Sequence, residues 1–148
     1  MSDAFSFVPD PDHSGWMRWE LRDPTRFNAF LGPILTRLEG DKALVRMATE
    51  RRHSNLADST HGGALLGFMD AALFAAARTF GVLSAGGAVT LDLSAQFIGT
   101  SRIGEPIVAE VELLRETGRM LFMRGLVKQD DAILASFSGT VRKSSPRA

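Results

Sequence analysis

The chain has no cysteine, which excludes disulfides, thiolate nucleophiles and cysteine-based zinc sites. Histidine is scarce: His13, His53 and His61 are the only three, and no two stand at the helical i, i+4 spacing of metal ligands, so no metal is expected. Neither sign of charge dominates, with 17 basic and 17 acidic residues and a formal net charge of zero. Such a balance creates no whole-molecule field to draw nucleic acid or an anionic membrane. Any anionic ligand must then be held by a few local basic side chains. The opening "MSDAFSFVPDPDH" lacks the basic and apolar regions of a secretory signal. The longest apolar stretch, Gly62 to Ala77, is too short to span a bilayer and contains Asp70. A cytoplasmic protein with no membrane partner is expected.

What is there is enough chain for a core: 148 residues suit one domain. Residues 1–22 read as a Pro- and Asp-rich extension packed on the domain, with Trp16 and Trp19 laid over its body; residues 23–148 form the domain itself. In "DPTRFNAFLGP", Asp23 caps a short helix, Pro24 takes its first turn and Gly32-Pro33 stops it. Phe27, Phe30 and Leu31 are expected to share its inward face. "ILTRLEGDKALVRMATE" reads as a hairpin turning at Gly40-Asp41. A long helix runs from about Gly62 to Phe80 and ends near Gly81, followed by an "SAGG" turn. In "AVTLDLSAQF" the period changes to two: Val89, Leu91, Leu93, Ala95 and Phe97 face one way, Thr90, Asp92, Ser94 and Gln96 the other. Three more strands follow, separated by turns at Thr117-Gly118 and Asp130-Asp131.

These parts predict an α+β architecture. A helix that is apolar nearly all round must be covered on most sides. A strongly curved antiparallel sheet wrapped around one long central helix does so, with a short N-terminal helix beside it. Unprotected sheet edges favour pairing with a second chain.

The chemistry centres on that helix. Gly62 and Gly63 open it where backbone N–H groups are unpaired and the dipole is positive. Without Cβ atoms, that backbone lets a ligand oxygen approach closely, as an oxyanion site requires. Asn55 offers an amide to the same oxygen or to a water. Asp70, in the middle of an apolar helix, needs a compensating partner or a reason to bear its cost. A hydroxyl or Arg78 would supply a purely structural one. Asp70 stands eight residues beyond Gly62, about 12 Å along the axis, too far to act on a carbonyl held there. If the two work together, they come from different subunits with helices side by side and antiparallel. A two-fold dimer builds two such sites.

Asn55, then His61-Gly62-Gly63, then Asp70, followed by "VTLDLSAQF", "GRM" and "ASFSGTVRK", resemble the hotdog-fold acyl-CoA thioesterases of the phenylacetate-degradation (PaaI-like) type. The resemblance runs from roughly Phe27 to Lys143. It implies a hotdog fold, dimers or dimers of dimers, and hydrolysis of an acyl-CoA without metal or other cofactor, CoA being part of the substrate. It implies that Asn55 and the Gly62 N–H polarise the thioester carbonyl. Asp70 of the other chain would serve as base or nucleophile, Thr90 would position water, and His61 would orient the loop or the thioester. Gly63, Arg102, Gly118, Arg119 and Lys143 are the expected substrate contacts, the cations meeting CoA phosphates at the sheet rim. Asp58 departs from the family's common glycine, a position where Asp can adopt the left-handed conformation. Ser59-Thr60 replace aliphatic residues and are expected to cap the helix.

Two rivals remain at this level. An enoyl-CoA hydratase or dehydratase would use His61 and an acid across the dimer. A non-catalytic acyl-CoA binding module would leave the thioester intact. His13 and His53 are expected at the surface, and Phe68, Met69, Phe74 and Leu83 in the core or along an acyl tunnel.

Overall fold

The computed structural model describes residues 4–83 and 87–144. In chain order the elements are β1 (Phe5–Pro9), β2 (Met17–Leu21), α1 (Asn28–Leu31), β3 (Ile34–Glu39), β4 (Lys42–Met47), a 3-10 turn at Arg51–His53, α2 (Gly62–Thr79), β5 (Ala88–Phe97), β6 (Ile107–Glu116), β7 (Met120–Gln129) and β8 (Ala132–Lys143). The eight strands form one antiparallel sheet in the order β1-β2-β3-β4-β6-β7-β8-β5. The "SAGG" turn falls on residues 84–86, outside the described residues, and on Gly87.

α2 is the element around which the rest is arranged. Its Phe68, Met69 and Leu73 are fully buried against Val45, Met47, Ile107, Leu121 and Met123 of the sheet. Each such side chain contributes about 1.5–3 kcal/mol by leaving water. The helix packs against six strands, β3 to β8, so the sheet wraps it. Leu83 is buried as expected, and Phe74 is partly buried against the same core. The helix stops where Gly81 (φ 76°) takes the left-handed conformation. There Gly81 N–H bonds the Arg78 carbonyl and Val82 N–H the Ala77 carbonyl, at 2.9 and 3.0 Å.

The hairpins turn where the sequence puts them. Gly40 (φ 63°) joins Glu39 to its partner Lys42, and Asp130 (φ 51°) joins Gln129 to Ala132. Residues 5–21, read as an extended cover, instead pair as strands β1 and β2 and lengthen the sheet beyond β3. Trp19 is buried edge-on to Phe5, with ring centroids 6.1 Å apart. Trp16 is half-buried under the Arg37 guanidinium.

Three expectations are corrected. Asp23 does not cap α1: its carboxylate accepts from the Thr25 N–H and hydroxyl and from Arg26, forming a turn of its own before a helix of one turn. The Thr25 hydrogen bonds hold the Asp23 carboxyl below its ordinary range. Of the three α1 side chains expected inward, only Leu31 is buried; Phe27 is 61% exposed, and Phe30 is exposed too. His53 is fully buried rather than superficial. His13 stays at the surface but its Nδ1–H donates at 2.7 Å to the buried Asp10 carboxylate, and this bond holds that carboxyl low.

β5 also breaks its apparent alternation. Thr90 pairs with Val141 and Asp92 with Thr140, leaving Leu91 as an extra residue in a bulge. Val89 and Leu91 are 47% and 50% exposed, while Ala88, Leu93 and Ala95 pack on the core. The bulge switches which residues face inward.

Deeper in the sheet, β7 crosses β8 at Gly125, opposite Phe137. A Cβ at position 125 would lie 2.7 Å from both the Glu110 carbonyl oxygen and the Phe137 ring. Backbone cannot yield as a flexible side chain does, so Gly125→Ala should destabilise the fold by about 1–3 kcal/mol. Urea unfolding measures it, and an unchanged midpoint would contradict this packing.

Candidate functional site at the mouth and middle of helix α2

The mouth of α2 is built by a tight loop. Asn55 organises it: its side-chain oxygen accepts from the Ala57 and Ser59 N–H groups at 2.9 and 3.1 Å. Its backbone bonds Ser59 and Asp58 in turn. Asp58 takes φ 57°, the left-handed conformation anticipated for it. With the oxygen committed to the loop, the Asn55 NH2 group is the half that remains for a ligand.

The cap is His61, not Ser59 or Thr60. Its Nδ1 accepts the Gly63 N–H at 2.8 Å, so the ring carries its proton on Nε2. Gly63, expected as a substrate contact, therefore spends its N–H on the cap. The Gly62 N–H meets no acceptor among the described residues. Ser59 and Thr60 tie the loop to the β5–β6 connection instead: Thr60 Oγ1 lies 2.5 Å from Ser101 Oγ, and Ser101 N–H donates to Ser59 Oγ at 2.9 Å. Gly62 faces the Phe97 ring, since a Cβ there would lie 3.7 Å from it. Asn55 and His61 share one open cleft, which Arg51 and Asp58 also line, and Gly62 opens the helix directly after His61.

Asp70 lies two turns further along α2, half-buried on the face that the sheet leaves uncovered. Thr90 Oγ1 donates to Asp70 Oδ1 at 2.5 Å. A polar residue expected on the outer face of β5 thus points inward, because the bulge at Leu91 turns it. Arg78 plays no part in holding Asp70. Its guanidinium lies over the Phe5 ring, 4.3 Å from the centroid, its Nε is buried without a partner among the described residues, and burial lowers its pKa.

The expected cations do not gather. Arg102 sits near the helix mouth, tied to Glu105 and to Asp130 at 2.7 Å. Those two carboxylates, Glu105 first, push its pKa up. Gly118, Arg119 and Lys143 lie at the other end of the sheet, where Lys143 N–H donates to the Arg119 carbonyl and Lys143 Nζ pairs with Glu116 at 2.8 Å. Arg119 has no ion pair among the described residues, and neither does Arg51. Arg51 is the residue the sequence reading passed over, although "RRHSN" places it four positions before Asn55.

Behind the mouth, His53 joins α1 to the loop. Its Nδ1 accepts the Glu50 N–H at 3.0 Å and its Nε2–H donates to the Phe30 carbonyl at 2.7 Å. The Phe30 ring lies edge-on to the imidazole at 5.0 Å. Among the described residues no group of three or more histidine and carboxylate side chains gathers to hold a metal, and no helix is long and apolar enough to cross a membrane.

The family model described as the thioesterase superfamily matches residues 58–136. Among solved structures, the chain is similar to a single-site mutant of the phenylacetic acid degradation protein PaaI from Thermus thermophilus. The two are 26% identical with a TM-score of 0.66, over 82% of this chain and 100% of that one. The Escherichia coli PaaI protein of the phenylacetic acid degradation operon shares the fold at 21% identity and a TM-score of 0.62, over 71% of this chain and 74% of that one. A hypothetical thioesterase protein from Streptococcus pneumoniae, determined with coenzyme A, shares it at 16% identity and a TM-score of 0.63, over 74% and 86%. No curated protein sequence matches the chain.

His53→Ala should leave the Glu50 N–H and the Phe30 carbonyl unpaired in the interior, costing about 2–3 kcal/mol. Urea unfolding combined with amide exchange at residues 50–54 measures it. Full exchange protection in the variant would show that this imidazole does not anchor the loop.

Proposed function

Because the chain belongs to the thioesterase superfamily and has its hotdog fold, we propose that it is an acyl-CoA thioesterase working as a homodimer, alone or paired into a tetramer. The observation that carries this reading is Asp70, the one carboxylate of α2, on the helix's uncovered face with Thr90 donating to it. A carboxylate in that position has a hydroxyl on one oxygen and, among the described residues, no partner on the other.

The helix mouth and Asp70 of one protomer are about 12 Å apart along the axis, so each site combines the mouth of one chain with Asp70 of the partner subunit. Two features favour that assembly. β5 is a ten-residue edge strand with one side unpaired in the protomer, which invites a second strand. Leu66, midway between Gly62 and Asp70, is exposed on the same face. Antiparallel helices that bring Gly62 to the partner's Asp70 cross their two-fold axis at Leu66.

In the site so formed, the thioester oxygen takes hydrogen bonds from the Gly62 N–H and the Asn55 NH2. The oxygen of the partner's Asp70 not held by Thr90 removes a proton from water. The water oxygen bonds to the thioester carbon, and the negative charge that forms on the carbonyl oxygen rests on the two donors at the positive helix end. Collapse breaks the C–S bond, and the CoA thiolate recovers the proton from Asp70. The products are a free acid and CoA, and the steps draw on side chains, water and substrate alone.

Arg51 from the mouth and Arg119 from the partner's sheet rim, neither in an ion pair among the described residues, are the cations offered to CoA phosphates, with Arg102 and Lys143 engaged by carboxylates. His61 caps the helix through Nδ1, which argues against the proton-carrying role that a hydratase would demand of it. The relative named for phenylacetic acid degradation makes phenylacetyl-CoA a sensible first substrate.

Asp70→Asn keeps the shape of the side chain, so the fold should survive while kcat falls by at least about a hundredfold, the usual scale of a positioned base. Thiol release over short, long and aromatic acyl-CoAs measures it; turnover near that of the unaltered protein would remove Asp70 from the mechanism. Binding of the same esters without thiol release by the unaltered protein would favour the binding module. Since the chain has no cysteine, Leu66→Cys provides a lone thiol at the axis. A short bismaleimide should link the chains into covalent dimers, and a purely monomeric product would refute this assembly.

A further inference from the structure

The uncovered face of α2 has two unlike walls. On one side Thr90 of β5 reaches Asp70; on the other the ring of Phe27 rests on Gly67. A Cβ at position 67 would lie only 2.8 Å from the Phe27 Cζ and 3.0 Å from Cε2, so the glycine is what lets the ring lie against the helix. Gly67 precedes Asp70 by three residues, about 4.5 Å along the axis and within about 60° around it. Gly63, one turn earlier, belongs to the same face. On the Phe27 side of Leu66, the floor on the mouth side of the carboxylate is therefore nearly bare backbone at Gly63 and Gly67.

Phe27 is also an unusual residue to leave in water. It is more than half exposed although its neighbour Leu31, on the same helical turn, is buried. Its position is nevertheless held: the Phe30 ring lies 6.3 Å away, and α1 is anchored by the His53 bond to the Phe30 carbonyl. An anchored aromatic ring with an open apolar face beside a reacting carboxylate asks for an apolar occupant.

We propose that Phe27, seated on Gly67, forms the wall of the acyl pocket and sets the size of the acyl group accepted. This rests on the thioesterase reading and adds to it the residue that selects the substrate. Removing the ring opens the pocket. Adding a methyl group at position 67 pushes the ring off the helix and narrows it. The two changes act in opposite directions, which a merely structural role for either residue would not produce.

The test compares kcat/KM for butyryl-, hexanoyl-, octanoyl- and phenylacetyl-CoA in the unaltered protein, Phe27→Ala and Gly67→Ala. Calorimetric binding of the uncleavable thioethers S-butyl-CoA and S-octyl-CoA is measured in parallel. Phe27→Ala should raise the octanoyl-to-butyryl preference by about tenfold and Gly67→Ala should lower it by a similar factor, the scale on which a few methylenes are discriminated. Thioether affinities should follow the same order. Variants that melt as the unaltered protein does yet keep its chain-length profile within about twofold would overturn the proposal while leaving the thioesterase reading intact. If the unaltered protein cleaves no ester, that reading fails and the thioether ratio alone decides the role of Phe27. Failure to bind either thioether overturns both.

Discussion

A carboxylate within a helix that is otherwise nearly all apolar constrains everything around it. Asp70 cannot face the sheet, where Phe68, Met69 and Leu73 fill the interior, so the helix must keep one face uncovered. It also needs a donor, because a half-buried carboxylate without one loses hydration and gains nothing in return. Thr90 is that donor. A regular strand could not turn Thr90 inward and also seat Leu93 and Ala95 on the core, since position 90 differs in parity from the other two. The bulge at Leu91 resolves the conflict by inserting one residue between them. Its cost is a locally broken ladder and two apolar side chains, Val89 and Leu91, left exposed.

The mouth of α2 follows a similar logic of donors. A helix start has four N–H groups without intrahelical partners, and a ligand needs at least one to stay free. His61 takes the Gly63 N–H, Asn55 turns its oxygen inward to fasten the loop, and Ser59 and Thr60 are occupied with Ser101. Ser59, Thr60 and His61, the three side chains just before Gly62, are thus engaged elsewhere. The same interactions make the loop stiff, which is what a preorganised oxyanion site requires.

Local signals were legible and long-range ones were not. Gly62-Gly63 and Gly81 bracket α2 because a helix end is a matter of a few adjacent residues, and Gly40 and Asp130 mark hairpins for the same reason. The spacing from Asn55 through Gly62 to Asp70 was visible too. The inward turn of Thr90 was hidden, since an alternating strand looks the same with or without an inserted residue. His53 is buried by the carbonyl of Phe30, 23 residues earlier, a partner no local pattern announces. "FSFVP" and "MRWEL", set among prolines and aspartates, read as a cover packed on the domain rather than as strands, because their pairing is with each other and with β3. Phe27 was read as core from helical phase, but a helix of one turn buries too few positions for phase to decide.

Charge shows most clearly why position matters more than number. With equal basic and acidic counts, a polyanionic ligand gains no long-range steering and must find cations that are not already neutralised. Drawing Arg102 onto a phosphate would mean parting it from both Glu105 and Asp130, and Lys143 would have to leave Glu116. Exposed pairs of this kind are worth little each, yet the exchange of one anion for another gains correspondingly little. Arg51 and Arg119 face no such exchange. They stand at opposite ends of one protomer, so a single chain cannot apply both to one phosphate chain. In the proposed antiparallel pairing, the rim that holds Arg119 would turn toward the end of the partner that holds its helix mouth. The proposed two-fold axis would then answer the demand for a base and the demand for free cations together.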